Sequence, residues 1–179
     1  MNALLTLFTK PDFRQSYASL SQPFFFLLLY LLFTTLYDRL SDETLRIMFH
    51  NQFIALCVQL IQLIPSSDQV IAVQNSIITH HINLEMVRTC DGSTTFFLIA
   101  SAIIVFRSTL KSTLTGLTMG FALVMTLNFL RILSLYFLIH YNPAWFASFH
   151  HSIAPFLLLT IGCGYFALWA YHANKATHG

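Results

Sequence analysis

Three residues carry the side chains that covalent chemistry needs: Cys90, Arg131 and His150. Cys90 lies in Arg88-Thr89-Cys90-Asp91-Gly92, among polar neighbours and just ahead of an apolar run. A thiol at a helix N-terminus tends to a lowered pKa, which suits a nucleophile. Cys57 and Cys163 sit inside apolar runs and read as packing residues. Three scattered cysteines make no disulfide framework, and the absence of a CxxC pair or HExxH argues against metal or redox centres. No cofactor is expected. Arg131 falls within Asn-Phe-Leu-Arg-Ile-Leu-Ser, where an unpaired guanidinium in hydrocarbon costs about 3 kcal/mol even on lenient scales. No carboxylate side chain follows Asp91, so its partner must be Asp91, Glu85, a thiolate or a bound substrate. The alternative is an arginine snorkelling to outer headgroups. Asn128 lies three residues earlier and shares its helix face. His150 stands before the last apolar run, while His80, His81, His140, His151, His172 and His178 read as interfacial or solvated. A thiolate, an imidazole base and an arginine that steadies developing negative charge are the parts of acyl transfer through a thioester.

The elements that must position these groups are membrane helices. Of 179 residues, 56% are hydrophobic and 9% charged, against roughly 25% charged in soluble domains. The expected fold is an all-α membrane protein, one integral domain over the whole chain. About four transmembrane helices are placed near 21–38, 93–107, 113–139 and 152–172. The N-terminus lacks the pattern of a cleaved secretory signal, so the first apolar run reads as a retained anchor. Thr44 to Ile64 carries Gln52, Gln59 and Gln62 on one stripe, which suits a helix lying on the membrane. Pro65-Ser66-Ser67-Asp68 ends it. Gln69 to Val87 alternates as short strands, giving a small β-hairpin within an extracytoplasmic segment of 44–89.

The charges orient these spans. Lys10 and Arg14 precede the first, Arg107 and Lys111 join the second to the third, and Lys175 follows the fourth, so these five belong on the cytoplasmic side. Asp38 to Asp91, which holds six of the seven acids, then faces outward. Arg131 stands about 26 Å along its helix from Leu114, near the outer interface. Cys90 and His150 come from helix ends on that same face. Gly116 and Gly120, at GxxxG spacing, suit a close contact inside the bundle. No basic patch suggests nucleic acid.

The order of Cys90-Asp91-Gly92, then Asn128-Phe-Leu-Arg131, then Pro143 followed by His150 resembles the exosortase/archaeosortase family in its short form, over nearly the whole chain. The resemblance implies a catalytic set of Cys90, Arg131 and His150, with Asn128 completing the arginine motif. It also implies a bacterial inner-membrane cysteine transpeptidase with its site on the extracytoplasmic face. Its partners would be exported proteins ending in a short motif, a transmembrane helix and a basic tail. Asp91 replaces the family's usual small or amide residue. A carboxylate there should raise the thiol pKa unless Arg131 or Arg88 offsets it. Two other classes fit the residues: a non-enzymatic scaffold of an export system, and a hydrolytic intramembrane protease.

Overall fold

The computed structural model describes residues 11–63, 69–80, 82–106 and 108–178. Lys10, Pro65 to Asp68, His81 and Arg107 lie outside them. Helix α1 runs Pro11–Asp38 and continues through Pro23. Its membrane-facing stretch is the apolar run from Phe24, where Leu27, Leu28, Leu31, Leu32 and Leu36 remain at least half exposed. Surface of that kind is matched to lipid.

Helix α2 spans Asp42–Gln62. Ser41 caps it by accepting from the Thr44 amide at 3.2 Å, and Asp42 and Glu43 fill the first turn, where the helix dipole favours acids. A π turn over Arg46–His50 shifts the register before the regular helix resumes. Ile54, Cys57, Val58 and Ile61 are buried along one face, while Gln52, Gln59 and Gln62 stay exposed on the other. The amphipathic pattern therefore reports a helix that covers something.

What it covers is a sheet. In place of a hairpin, three strands form an antiparallel sheet in the order β1 (Ile71–Val73), β2 (Ser76–Ile78), β3 (Asn83–Glu85). Ile77 pairs with Ala72 on one side and Leu84 on the other. Asn75 fixes the third strand by donating to the Glu85 carboxylate at 3.1 Å and the Met86 carbonyl at 2.9 Å. The alternation expected from Ile82 to Met86 was thus a strand in its own right, paired to the free edge of the hairpin.

Helix α3 (Ser93–Val105), helix α4 (Leu110–Tyr141) and helix α5 (Ala154–His178) complete the chain. A 3₁₀ turn at Pro143–Trp145, a helical turn at Phe146–Ser148 and a π turn at Phe149–Ile153 lead into α5. α3 is the central helix and packs against α1, α4 and α5. Ile99, Ile103 and Val124 form the bundle core. Gly116 and Gly120 serve the internal contact expected of them. The Trp169 indole occupies the space a Cβ at Gly116 would need, and Tyr165 Cε1 would lie 3.1 Å from one at Gly120. Both rings also donate across the contact, Tyr165 to the Gly116 carbonyl at 2.6 Å and Trp169 to the Ser112 carbonyl at 3.1 Å.

A second core joins Ile54, Cys57, Val58 and Ile61 of α2 and Ile77 of the sheet to Ile132 and Tyr136 of α4. The 32 residues of α4 reach about 48 Å, well beyond a hydrocarbon layer of about 30 Å. Its far third carries the α2-and-sheet cap. Among the described residues three helices are long and apolar enough to cross a membrane: Asp42–Gln62, Leu110–Tyr141 and Pro143–Lys175. Ser93–Val105 is apolar but shorter. That set differs from the four expected spans, because length and composition select α2 and pass over the two segments nearest 21–38 and 93–107.

Candidate active site

Cys90 closes a 3₁₀ turn at Arg88–Cys90, its amide bonded to the Val87 carbonyl at 2.8 Å. The chain then reverses into α3 through Gly92, whose φ of 80° lies in the left-handed region. Glycine is required there twice over. It takes that φ without penalty, and a Cβ would meet Val124 Cγ1 at 3.2 Å and Asn128 Cβ at 3.4 Å. Gly92 thereby seats the turn directly on α4.

His150 comes to the turn from the other side. The π turn at Phe149–Ile153 carries it, and the Phe146 ring stacks on the imidazole at 5.6 Å. His150 Nε2 lies 3.0 Å from Cys90 Sγ. Arg131 Nη2 donates toward the same sulfur at 3.7 Å and toward the His150 carbonyl at 3.4 Å. Cys90 and Arg131 are buried, at 6% and 7% exposure. The structure therefore brings Cys90, Arg131 and His150 into one cluster from three separate elements. The thiol sulfur and a backbone carbonyl are the partners that the sequence left open for Arg131. Asn128 is fully buried beneath Gly92, and among the described residues neither atom of its amide has a partner, nor has Arg131 Nε.

The remaining expected residues turn elsewhere. Arg88 spends its guanidinium on Asp42, at 2.6 Å, and on the carbonyls of Tyr37 and Leu40, and lies over the Tyr37 ring. It caps the end of α1 and joins it to α2, so it does not offset a charge beside the thiol. Asp91 is buried, and its hydrogen-bond partners are not those of the sulfur. Its carboxylate accepts from the Ser93 amide at 3.0 Å and from the Tyr37 hydroxyl, and His50 Nε2 lies 3.4 Å from it. Burial by itself would raise its pKa, but the donors on His50, Ser93 and Tyr37 outweigh burial and hold it below the usual carboxylate range.

Tyr37 and His50 escaped the sequence reading, since no spacing rule links the end of one helix to the middle of the next. His151 is exposed, in keeping with its reading as an interfacial or solvated residue, and its Nδ1 lies 3.4 Å from His150 Nδ1.

A small cleft reaches the cluster between Ile54, Met86, Ile132 and Leu135. Glu85 and Met86 separate it from a polar pocket of about 460 Å³ bordered by Asp42, Arg46 and His50. The larger cavity, about 510 Å³, sits at the other end of the bundle among Met119, Tyr165 and Trp169, and no cysteine is among its described lining residues. Among the described residues no group of His, Cys, Asp and Glu side chains could hold a metal ion. A buried thiol beside an imidazole and a guanidinium can form and discharge an acyl thioester.

Comparison with known families assigns the chain to one of them. The model described as transmembrane exosortase matches residues 3–168. The chain belongs to the transmembrane exosortase family. No curated protein and no solved structure matches it. Membership makes this exosortase-family chain a multi-pass membrane protein with an exosortase-like role, consistent with its several apolar helices.

Proposed function

We propose that this exosortase-family protein is a cysteine transpeptidase that cleaves C-terminal sorting signals from exported proteins through a thioester on Cys90. One observation carries the reading: Cys90 Sγ lies 3.0 Å from His150 Nε2 and 3.7 Å from Arg131 Nη2. His150 takes the thiol proton, and the thiolate attacks the scissile carbonyl carbon. The electron pair displaced onto the carbonyl oxygen faces Arg131, which supplies a fixed positive charge in a site screened from water. When the intermediate collapses, the carbon–nitrogen bond breaks, and His150 returns its proton to the departing amine. An acceptor amine or water then gives His150 a proton and attacks the thioester, releasing the Cys90 thiolate.

The proposed setting is the bacterial inner membrane, with α1, α3, α4 and α5 as four spans. The α2-and-sheet cap lies on the extracytoplasmic face. Lys111 and Arg131 are separated along α4 by about 30 Å, the thickness of the hydrocarbon layer. With Arg14, Lys111 and Lys175 inside, the cluster falls at the outer interface. α2 supports this placement because its apolar face is used on the sheet and α4. The substrate's transmembrane helix would lie beside the bundle and present its motif to the small cleft.

The decisive experiment expresses the chain with an exported protein from the same host that bears a motif, helix and basic tail. A hydroxylamine-sensitive conjugate to the parental chain should be captured by acid quenching during turnover, and should be absent in both His150→Ala and Cys90→Ala. Unchanged processing by Cys90→Ala overturns the reading and leaves the scaffold role.

A further inference from the structure

Cys90 is followed by a carboxylate that should hinder thiolate formation, yet that carboxylate is buried and engaged by three partners. Asp91 is 2% exposed. One oxygen accepts from the Ser93 amide and so binds a donor that the start of α3 leaves free. The other faces the Tyr37 hydroxyl, from the last turn of α1, and His50 Nε2, from the π turn of α2. His50 is itself buried at 4%. The Tyr37 ring packs on Phe97 of α3 and lies beneath Arg88. Helices α1, α2 and α3 therefore meet at one buried carboxylate, directly after the thiol.

The opposite side of the same turn is pinned by Gly92 on Val124 and Asn128. Between these two anchors the chain has little freedom, and Cys90 is the residue they fix. Such bracing matters because a thiol, an imidazole and a guanidinium act together only when held within about 0.5 Å of the productive geometry. The donors from Tyr37 and His50 also tie the Asp91 carboxylate to α1 and α2. Arg131 is then the nearest cation to the thiol.

Resting on the reading of Cys90 as nucleophile, we infer that Asp91 is a positioning residue: held by Tyr37 and His50, its carboxylate locks the Cys90 turn against His150 and Arg131. Asp91 acts through the placement of the thiol and does not touch the substrate. Tyr37 and His50 belong to the same device, which makes α1 and α2 part of the site without lending it a reacting atom.

The test uses the full chain in membranes and reads two quantities. One is processing of the tagged substrate. The other is the pH profile of Cys90 alkylation by a maleimide, followed at the Cys90 peptide by mass spectrometry. Asp91→Asn keeps an oxygen for the Ser93 amide but sets an amide donor against His50 and Tyr37. Tyr37→Phe removes one donor with little change of shape. Each should reduce processing about tenfold, the low end of the range for disturbed geometry at a reacting centre. Each should also move the alkylation midpoint, while yield and elution volume in detergent stay parental. Asp91→Glu should recover part of the processing lost in Asp91→Asn. Parental processing and an unmoved alkylation profile in both variants would overturn the inference. The alkylation arm needs no substrate, so its failure is separable from that of the nucleophile assignment, which falls instead if Cys90→Ser still processes substrate.

Discussion

At the residue scale the site is a contest over where charge is allowed to sit. Arg131 is buried on a helix without acids, and its stable place beside the sulfur and the His150 carbonyl follows from the lack of any other partner within reach. Arg131→Lys keeps a positive charge but loses the planar guanidinium, whose Nη2 reaches both groups and whose fork could grip a developing oxyanion. Processing should fall on the order of 10²-fold, the usual effect of losing one oxyanion donor, with normal expression; parental processing would assign Arg131 to snorkelling. His150→Ala should lose on the order of 10²–10⁴-fold, as for other general acid–base groups. His151→Ala should cost only a few-fold, through the Nδ1 contact that steadies its neighbour. Time courses of substrate mobility shift, corrected for variant abundance, check both, and an inactive His151→Ala beside an active His150→Ala would refute the assignment. Cys90, Arg131 and His150 were legible in sequence because their types are rare in apolar chains and costly there without a purpose. Tyr37 and His50 were not, because a tyrosine at a helix end and a histidine in an amphipathic helix have many ordinary uses.

At the scale of elements, short irregular segments do the placing. Gly92 gives a clear prediction. Gly92→Ala forces a left-handed φ on an L side chain, at about 1–2 kcal/mol, and crowds Val124 as well. Its melting temperature in detergent should fall below the parental value, and Cys90 alkylation should change with it. Unaltered melting would mean that the turn has slack the packing does not suggest. Asp91 links this turn to pH. Its pKa is held below the unfolded value of about 3.9. The stability it contributes is therefore fully present above that pH and is lost as pH falls through the depressed folded value. Between pH 5 and about 3 the parental chain should lose melting temperature faster than Asp91→Asn, whose residue 91 does not titrate; parallel curves would show that the carboxylate is not held charged. The two π turns were invisible to helical periodicity, since both lie within longer helices and disturb the pattern by a single residue. The strand at Asn83–Glu85 was legible as an alternating segment but not as a third partner: its three residues pair only because a hairpin edge is already there to receive them.

At the scale of the whole molecule the protein is a helical bundle with a cap built on the protruding third of α4. The topology predicts opposite sides for exposed residues of the sheet and of the α3–α4 junction. In a chain with Cys57, Cys90 and Cys163 replaced by alanine, Val73→Cys should react with an impermeant maleimide on intact cells. Thr109→Cys should react only after permeabilisation. The reverse pattern would invert the orientation and move the site to the cytoplasmic face.

Composition and the order of motifs were enough to establish a membrane chain and its family and to nominate Cys90, Arg131 and His150, because hydrocarbon penalises charge so heavily that polar residues retained there are conspicuous. The internal use of Gly116 and Gly120 was also readable, since small residues at that spacing mark a close approach. Only the tertiary structure decided that Arg88 staples α1 to α2, that the Asp91 carboxylate is tied to Tyr37 and His50, and that α2 spends its apolar face on a three-stranded sheet. Those outcomes depend on which helix ends meet in space. The hydrogen bonds that settle them join residues 41 to 54 positions apart, and no local pattern in the chain encodes a meeting at that distance.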